Sequence, residues 1–421
     1  MSAPQMISMG CRLNIAESEK LRQNLAASNI DGDNLIIVNS CAVTNEAVRQ
    51  TRQAIRRAKK DNPEKNIIVT GCAAQVDPSM FAAMPETSAV VGNIDKYDPA
   101  NFKLGLHSNR PDIRVSDIMR ITETAPHMVS AFADRSRAFV EIQNGCDHRC
   151  TFCIIPFGRG NSRSVPAGLI VEQVQALVDK GFQEVVLTGV DVTSYGPDLP
   201  GAPTLGQLIE RILKHVPQLP RLRLSSLDGI EIDERMFELL TGETRLMPHV
   251  HLSLQSGDNM ILKRMKRRHS REQAITLVER LKARRPEIAV GADIIAGFPT
   301  EDDAMFANSL ALIEQCDIVH GHIFSYSPKQ GTPAARMPQL DGDVIKRRAK
   351  LLRNAVAGRA RSWRRTLIGT RQNVLAEMSG DTGYAANFAR VTFDAPASRG
   401  QIVPVDITGM QDKQLIGRVA A

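Results

Sequence analysis

The sequence offers little material for disulfide bonds or membrane spans. It holds seven cysteines among 421 residues, an odd number that cannot all be paired. No apolar run approaches the ~20 residues that a membrane-spanning helix needs, and no apolar leader segment stands at the N-terminus. These absences predict a cytoplasmic protein without a membrane partner, in a reducing compartment where thiols hold metals or serve catalysis.

Positive charge is in slight excess, with 53 Lys and Arg against 46 Asp and Glu, a formal net charge of +7. A net positive charge this small does not by itself identify a binding partner. Three segments concentrate it, at residues 49–60, 263–271 and 359–365. Clustered Lys and Arg side chains suit the phosphates of a nucleic acid, and the solvated face of a surface helix is the alternative for each segment.

Cys146, Cys150 and Cys153 lie close together in a C-x3-C-x2-C pattern. A four-iron cluster is normally held by four thiolates, and no fourth cysteine lies nearby. Three ligands would leave one iron free to bind a substrate, for which S-adenosylmethionine (SAM) is the obvious candidate. Zinc is the alternative metal, because His148 lies inside the motif, but zinc sites usually carry a second ligand pair downstream and none follows.

Three further cysteines follow apolar runs near the N-terminus, where short strands and helical patterns alternate. Cys11 follows MISMG, Cys41 follows LIIVNS and Cys72 follows IIVTG. Such alternation indicates a parallel α/β sheet, and the carboxyl ends of its strands gather along one edge. The three thiols are therefore predicted to be neighbours in space, with three separate buried thiols as the alternative.

The alternation stops between Lys96 and Ser136, which predicts a linker, and then resumes. Six strand–helix units follow from Phe139 to Tyr326. A closed barrel of this type has eight, so the pattern predicts an open, partial barrel. A basic helix over 344–367 leads to four short predicted strands, at 373–377, 385–392, 402–407 and 414–418, typical of a small β-barrel of oligonucleotide-binding type.

The run NGCDHRCTFCIIPFGRGNSRS, from Asn144 to Ser164, resembles the radical-SAM methylthiotransferase family. It places an aromatic residue before the third cysteine and an Ile-Ile-Pro-x-x-Arg-Gly segment after it. The motifs GCRLN, NSCAVT and GC around the first three cysteines resemble the family's N-terminal domain, and the tail RGQIVPVDI resembles an RNA-binding TRAM domain. The resemblance implies an N-terminal domain over 1–110, a linker over 111–135, a radical-SAM core over 136–366 and a TRAM-like barrel over 367–421.

The resemblance also implies cofactors and site residues. Cys146, Cys150 and Cys153 would hold a 4Fe-4S cluster that cleaves SAM reductively, and Cys11, Cys41 and Cys72 would hold an auxiliary 4Fe-4S cluster that presents sulfur. The predicted SAM contacts are Phe152, Gly189, Asp191, Ser226 and Gln255. Implied partners are tRNA, a reductant such as flavodoxin or ferredoxin, and a sulfur donor.

The expected reaction replaces an unactivated aromatic C–H bond with C–SCH3 through cofactor radical chemistry. The motifs most resemble the branch that methylthiolates carbon 2 of N6-threonylcarbamoyladenosine beside the tRNA anticodon. Its threonyl carboxylate suits a guanidinium partner, for which Arg159 and Arg163 are the predicted residues. The alternatives are the relatives acting on isopentenyladenosine in tRNA or on a ribosomal-protein aspartate, and a non-catalytic RNA-binding protein with metal-stabilised domains.

Overall fold

The computed structural model describes residues 3–28, 30, 32–103, 111–122, 135–377 and 379–420. Its first part is a parallel sheet in the order β1-β2-β3-β4-β5, with helices on its faces. The strands are β1 (Gln5–Ser8), β2 (Leu35–Ser40), β3 (Asn66–Gly71), β4 (Ala89–Val91) and β5 (Asp112–Arg114), and the helices are α1 (Arg12–Ala27), α2 (Asn45–Asp61), α3 (Cys72–Val76) and α4 (Pro78–Ala82). All six residues of β2 are buried, as expected for a parallel strand covered on both faces.

The predicted linker is partly described. Its residues 112–114 form β5, which pairs with β4 and so belongs to the N-terminal sheet. Residues 123–134 lie outside the described part of the chain. The domain boundary at 110 therefore stays a prediction.

The central part is the predicted open barrel. Its strands are β6 (Ala138–Glu141), β9 (Glu184–Thr188), β10 (Arg221–Leu224), β11 (Ser226–Leu227), β12 (His249–Gln255), β13 (Ala289–Ala296) and β14 (Ile318–Ser325), with a two-stranded ribbon of β7 (Gln143–Asn144) and β8 (Arg163–Ser164) beside them. The hydrogen-bonded orders are β10-β9-β6 and β11-β12-β13-β14. Because β10 and β11 are one strand interrupted at Ser225, the wall has six strands, and the α/β fold class is confirmed.

Helices cover the outside of this wall. They are α6 (Ala167–Asp179), α7 (Leu205–His215), α8 (Glu234–Gly242), α10 (Arg271–Arg284) and α11 (Asp303–Gln315), whereas the short helices α5 (Ile155–Arg159) and α9 (Asn259–Arg264) lie in the loops that follow β7 and β12. In β12, Val250, Leu252 and Leu254 pack in the main hydrophobic core with residues of these helices. Since side chains alternate along a strand, His249 and His251 face the barrel interior.

The C-terminal part is a closed five-stranded barrel in the order β15-β16-β17-β19-β18. A long helix, α12 (Gly342–Thr366), leads into β15 (Arg371–Ala376), β16 (Thr382–Ala385), β17 (Arg390–Phe393), β18 (Ile402–Gln411) and β19 (Gln414–Val419). The helix joins the two barrels, because Leu352 and Val356 pack in the central core while Ala360 and Trp363 pack in the C-terminal core.

The single strand predicted over 385–392 is wrong, because two strands and a turn occupy this segment. Phe388 adopts a left-handed φ of +69°. The side-chain oxygen of Asn387 accepts a hydrogen bond from the Ala389 N–H at 3.1 Å, in the way that Asn commonly stabilises tight turns. This turn lies at the base of the central barrel, where Arg223 donates to the carbonyl of Ala386 at 3.1 Å.

Candidate active site

The N-terminal cysteines lie at the carboxyl ends of adjacent parallel strands. Cys11 precedes α1, Cys41 directly follows β2, and Cys72 begins α3 after β3. Gly10 has a φ of +89°, and a Cβ atom there would lie 2.6 Å from the Cβ of Cys41, so this close approach requires glycine. Burial, together with the neighbouring Cys72 and Cys11, raises the pKa of Cys41 to about 11. The structure thus brings the three predicted thiols to one edge of the sheet.

Cys146, Cys150 and Cys153 lie in the loop between β7 and α5, after the first barrel strand. Within the loop, the Cys146 N–H donates to the Gly160 carbonyl and the Cys153 N–H to the Cys150 carbonyl, each at 3.1 Å. Burial raises the pKa of Cys153 to about 11. Burial, the Asp191 carboxylate, and the thiols of Cys153 and Cys150 all raise the pKa of Cys146. Three sulfur donors within electrostatic reach fit an iron–sulfur cluster.

The two cysteine groups are carried by helices in contact. Gly158 of α5 packs on α3, where an added Cβ would lie 3.2 Å from the Cys72 carbonyl oxygen. The side-chain amide of Asn93 donates to the Gly158 carbonyl at 2.5 Å and approaches the Cys72 sulfur at 3.8 Å. The loop that carries Cys146, Cys150 and Cys153 (the central triad) therefore continues directly into the surroundings of Cys11, Cys41 and Cys72 (the N-terminal triad).

Arg159, the last residue of α5, brings a positive charge to the N-terminal cysteines. Its side chain is 2% exposed and bonds to both carboxylate oxygens of Glu17, to Asn14 at 2.6 Å, and through Nε to the Cys72 sulfur at 3.1 Å. Lys96 Nζ also contacts Glu17, at 2.9 Å. Burial opposes the ionisation of Glu17, but Arg159 and Lys96 together hold its pKa well below the usual range. Two buried cations against one carboxylate leave a positive charge beside Cys72, which suits a cluster with anionic thiolate ligands.

Arg163, the second arginine predicted for the substrate, is also held by the protein. Its Nη1 donates to the Asn161 carbonyl at 2.8 Å and its Nη2 to the Arg159 carbonyl at 2.9 Å. Its Nε has no hydrogen-bond partner among the described residues. Substrate binding by Arg159 and Arg163 stays a prediction. In the structure, both guanidinium groups bond to the protein and support the loops that carry the cysteines.

The predicted SAM contacts lie around the carboxyl ends of the barrel strands. Gly189 lies against β7, where an added Cβ would be 2.6 Å from the Gln143 carbonyl oxygen. Gln255 ends β12 with a left-handed φ of +66°, and Ser226 is exposed in β11. Phe152 stacks edge-on against a second aromatic ring, with 6.3 Å between the ring centroids. Their contact with SAM stays a prediction.

Asp191 lies closer to the cluster loop than the other predicted SAM contacts. Its Oδ2 is 3.7 Å from the Cys146 sulfur and 2.9 Å from His148 Nε2, and the donor atoms of these three residues lie within 4.8 Å of one another. Such a mixed set of sulfur, nitrogen and oxygen donors is the ligand set that a zinc ion would use here. It leaves Cys150 and Cys153 unused, whereas the three-thiol site employs every cysteine of the loop.

The sequence analysis missed the role of two arginines in the basic segment 263–271. Arg267 donates to the Cys150 sulfur at 3.8 Å, to Asp228 at 2.9 Å and to the Ser253 carbonyl at 2.9 Å. Arg268 pairs with Glu231. Arg267 therefore borders the central triad, whereas Arg268 remains nearly half exposed. The other two segments lie on α2 and α12, where many of their basic side chains are exposed.

Comparison with known proteins agrees with this arrangement. Residues 140–313 match the Radical SAM superfamily, and residues 4–92 match the uncharacterized protein family UPF0004. The chain is 50% identical to the threonylcarbamoyladenosine tRNA methylthiotransferase MtaB of Rickettsia prowazekii, over 97% of this chain and 95% of that protein. It is 32% identical to the tRNA-2-methylthio-N(6)-dimethylallyladenosine synthase of Staphylococcus saprophyticus, over 97% of this chain and 83% of that protein.

A solved structure shares the fold at low sequence identity. The radical S-adenosylmethionine methyltransferase TsrM from Kitasatospora setae superposes with a TM-score of 0.53 at 15% identity, over 75% of this chain and 68% of that one. Among the described residues, every helix is too short or too polar to cross a bilayer.

Proposed function

The chain belongs to the radical-SAM methylthiotransferase family, and we propose that it methylthiolates carbon 2 of N6-threonylcarbamoyladenosine beside the tRNA anticodon. The observation that carries this proposal is the 50% identity, over nearly the full length of both chains, to a relative named for that nucleoside. The relative named for dimethylallyladenosine is 32% identical, and that nucleoside is the second candidate substrate.

Radical SAM enzymes bind SAM and a 4Fe-4S cluster, and methylthiotransferases of this type carry two such clusters. In this chain, Cys146, Cys150 and Cys153 would hold the cluster that binds SAM. The second cluster would be held by the N-terminal triad, Cys11, Cys41 and Cys72. When bound, the clusters would supply the one-electron chemistry and the sulfur, and a second SAM molecule would supply the methyl group, to replace an aromatic C–H with C–SCH3. The proposal is supported by the donor sets, because three thiols leave one iron of a four-iron cluster without a cysteine ligand.

The chain's own residues would position these groups and balance their charge. Arg159 brings a buried positive charge to Cys72, and Arg267 brings another to Cys150. Asp191, which lies beside Cys146, would accept a hydrogen bond from the amino group of SAM, and backbone near Phe152 would contact its adenine. Because the two loops meet through α3 and α5, one nucleotide could reach both sites.

We also propose the partners that this chemistry requires. The C-terminal barrel would bind tRNA as a TRAM domain does, aided by exposed basic residues of α12. A low-potential reductant such as flavodoxin or ferredoxin would supply electrons, and a separate sulfur donor would restore the sulfur that each turnover consumes.

The test is mass spectrometry of tRNA nucleosides and ribosomal proteins from cells lacking this chain. The 2-methylthio form of threonylcarbamoyladenosine should vanish, while methylthiolated isopentenyladenosine and the modified ribosomal aspartate persist. The wild-type gene should restore the product, and a matched Cys146→Ala gene should not. The opposite pattern of loss would refute the proposed substrate and leave the reaction class standing.

A further inference from the structure

The interior of the central barrel holds a polar surface that the two cysteine triads do not use. We name this surface the lumen pocket and define it by six residues: Arg12, His249, His251, Asp293, His322 and Phe388. The histidines and the aspartate come from the inner faces of β12, β13 and β14, Arg12 begins α1 of the N-terminal part, and Phe388 is the turn residue of the C-terminal barrel. All three parts of the chain therefore meet in this pocket.

Three guanidinium groups surround the ring of Phe388. Those of Arg12, Arg137 and Arg223 lie 5.5, 5.3 and 4.8 Å from its centroid. Arg223 is paired with Glu184 at 2.9 Å, and Arg137 with Glu377 at 2.8 Å. Arg12 has no hydrogen bond or ion pair with any described residue, so one guanidinium of the three is left without an anionic partner.

The opposite wall of the pocket offers further hydrogen-bonding groups. The ring of His249 lies 5.0 Å from that of Phe388, and the residue is 4% exposed. Both of its ring nitrogens lack a hydrogen-bond partner among the described residues. Leaving a buried polar group without a partner is costly, so a polar ligand or water is expected to complete this site.

Beyond His249, the pocket continues along the same wall to a carboxylate. Asp293 Oδ1 contacts His251 Nε2 at 3.0 Å and His322 Nδ1 at 3.2 Å. Burial opposes the ionisation of Asp293, but the two imidazoles hold its pKa well below the usual range. Because both of them are committed to Asp293, Arg12 remains the cation of the pocket without a partner.

The lumen pocket adjoins both triads. Arg12 directly follows Cys11 in the chain. On the other side, Arg267 contacts both the Cys150 sulfur and the carbonyl of Ser253, which lies two residues beyond His251 on β12. Arg12 therefore links the pocket to the N-terminal triad, and Arg267 links strand β12 to the central triad.

We propose that the lumen pocket receives the threonylcarbamoyl group of the substrate, with Arg12 pairing its carboxylate. The inference rests on the proposed function, and it replaces the predicted Arg159 and Arg163 with a guanidinium that has no competing partner. Among the three substrates under consideration, a group with a carboxylate and a hydroxyl matches the unpaired Arg12 and the unpartnered His249. An isopentenyl group would leave both unsatisfied, so the pocket would act as a specificity determinant.

The experiment compares two anticodon stem-loop RNAs with the reconstituted full chain. One RNA carries threonylcarbamoyladenosine with its free carboxylate, and the other carries the neutral methyl ester of the same group. Wild-type enzyme should favour the free acid in kcat/KM by about tenfold to a hundredfold, the range of one charge-assisted hydrogen-bonded pair. Arg12→Met should raise KM for the acid by a similar factor and bring the acid-to-ester ratio close to one, and Arg12→Lys should keep part of the preference.

Arg280→Met is the matched control. The guanidinium of Arg280 also stacks over a phenyl ring, that of Phe237 at 4.3 Å, and pairs with Glu234 on the exposed helix surface. This variant should keep the wild-type ratio. Should Arg12→Met not fold, Arg12→Gln takes its place, and wild-type enzyme without any preference for the acid already overturns the inference.

Two results would overturn the inference. One is wild-type enzyme that methylthiolates acid and ester equally well, and the other is an Arg12 variant that loses activity on both RNAs in the same proportion. A different result, wild-type enzyme that makes no methylthio product from the free acid while it cleaves SAM, would refute the proposed function instead.

Discussion

Glu184→Gln is expected to destabilise the contact between the central and C-terminal barrels. Glu184 is fully buried at the start of β9, where Arg223 lies at 2.9 Å, Arg221 at 3.6 Å and Arg137 at 3.9 Å. All three arginines also contact the C-terminal part, since Arg221 donates to the Asn373 carbonyl at 2.7 Å, Arg223 to that of Ala386 at 3.1 Å, and Arg137 pairs with Glu377 at 2.8 Å. Removing the carboxylate leaves buried cations uncompensated at this joint.

The magnitude follows from the pKa of Glu184. Burial opposes ionisation, but Arg223, Arg137 and Arg221 lower the pKa from 4.5 to about 2. At about 1.4 kcal/mol per pKa unit, the carboxylate contributes roughly 3 kcal/mol to the free energy of unfolding at neutral pH. Removing one partner of a buried ion pair typically costs ~3–5 kcal/mol, which agrees with this value. Because the folded-state pKa is lowered, the contribution is complete above pH 4.5 and is lost as the pH falls towards 2.

The assay is urea denaturation followed by tryptophan fluorescence. The chain has a single tryptophan, Trp363, which is 9% exposed and packs in the C-terminal core, with its ring 5.0 Å from that of His320. Its emission therefore reports on the joint between the two barrels. With a denaturant slope of about 3 kcal/mol/M, a loss of roughly 3 kcal/mol lowers the midpoint by about 1 M at pH 7.

Glu210→Gln provides the matched control. Glu210 forms an exposed pair with Arg235, both side chains being nearly half exposed, and such pairs contribute ~0–1 kcal/mol. Adding Arg223→Met to Glu184→Gln should recover part of the lost stability, because it removes one uncompensated cation. A midpoint for Glu184→Gln no lower than that of the control would refute the reasoning.

Two further predictions concern the cysteine triads and the C-terminal barrel. Cys146→Ala, Cys150→Ala and Cys153→Ala should each abolish 5′-deoxyadenosine formation. A triple alanine variant of Cys11, Cys41 and Cys72 should still form 5′-deoxyadenosine but transfer no methylthio group. SAM cleavage retained in all three single variants, or methylthiolated product retained in the triple variant, would contradict these assignments. Removing the chain from Thr370 onward should weaken tRNA binding and flatten its dependence on salt, because lost phosphate contacts reduce counterion release. Unchanged binding across a salt titration would mean that this barrel does not contact RNA.

Local sequence was sufficient for most of the helices and strands and for the grouping of the cysteines. The alternation of short apolar runs with helical patterns predicted the parallel sheet, the six-stranded open barrel and the long helix, because periodicity is a local property of the chain. The position of each N-terminal cysteine after an apolar run predicted that the three thiols would meet, since parallel strands end along one edge. The strand predicted over 385–392 failed because the left-handed turn at Phe388 breaks a segment whose apolar pattern continues.

Only the tertiary structure decided which charged side chains have partners. Arg159 and Arg163 follow the central triad in sequence and were predicted to face the substrate, but Arg159 is bound to Glu17, 142 residues away. Arg12 and Phe388 stand at opposite ends of the chain and meet inside the barrel. A sequence shows where a charge lies along the chain, whereas its pairing depends on long-range packing. The partners of Arg159, and the lack of one for Arg12 among the described residues, therefore emerged only from the folded molecule.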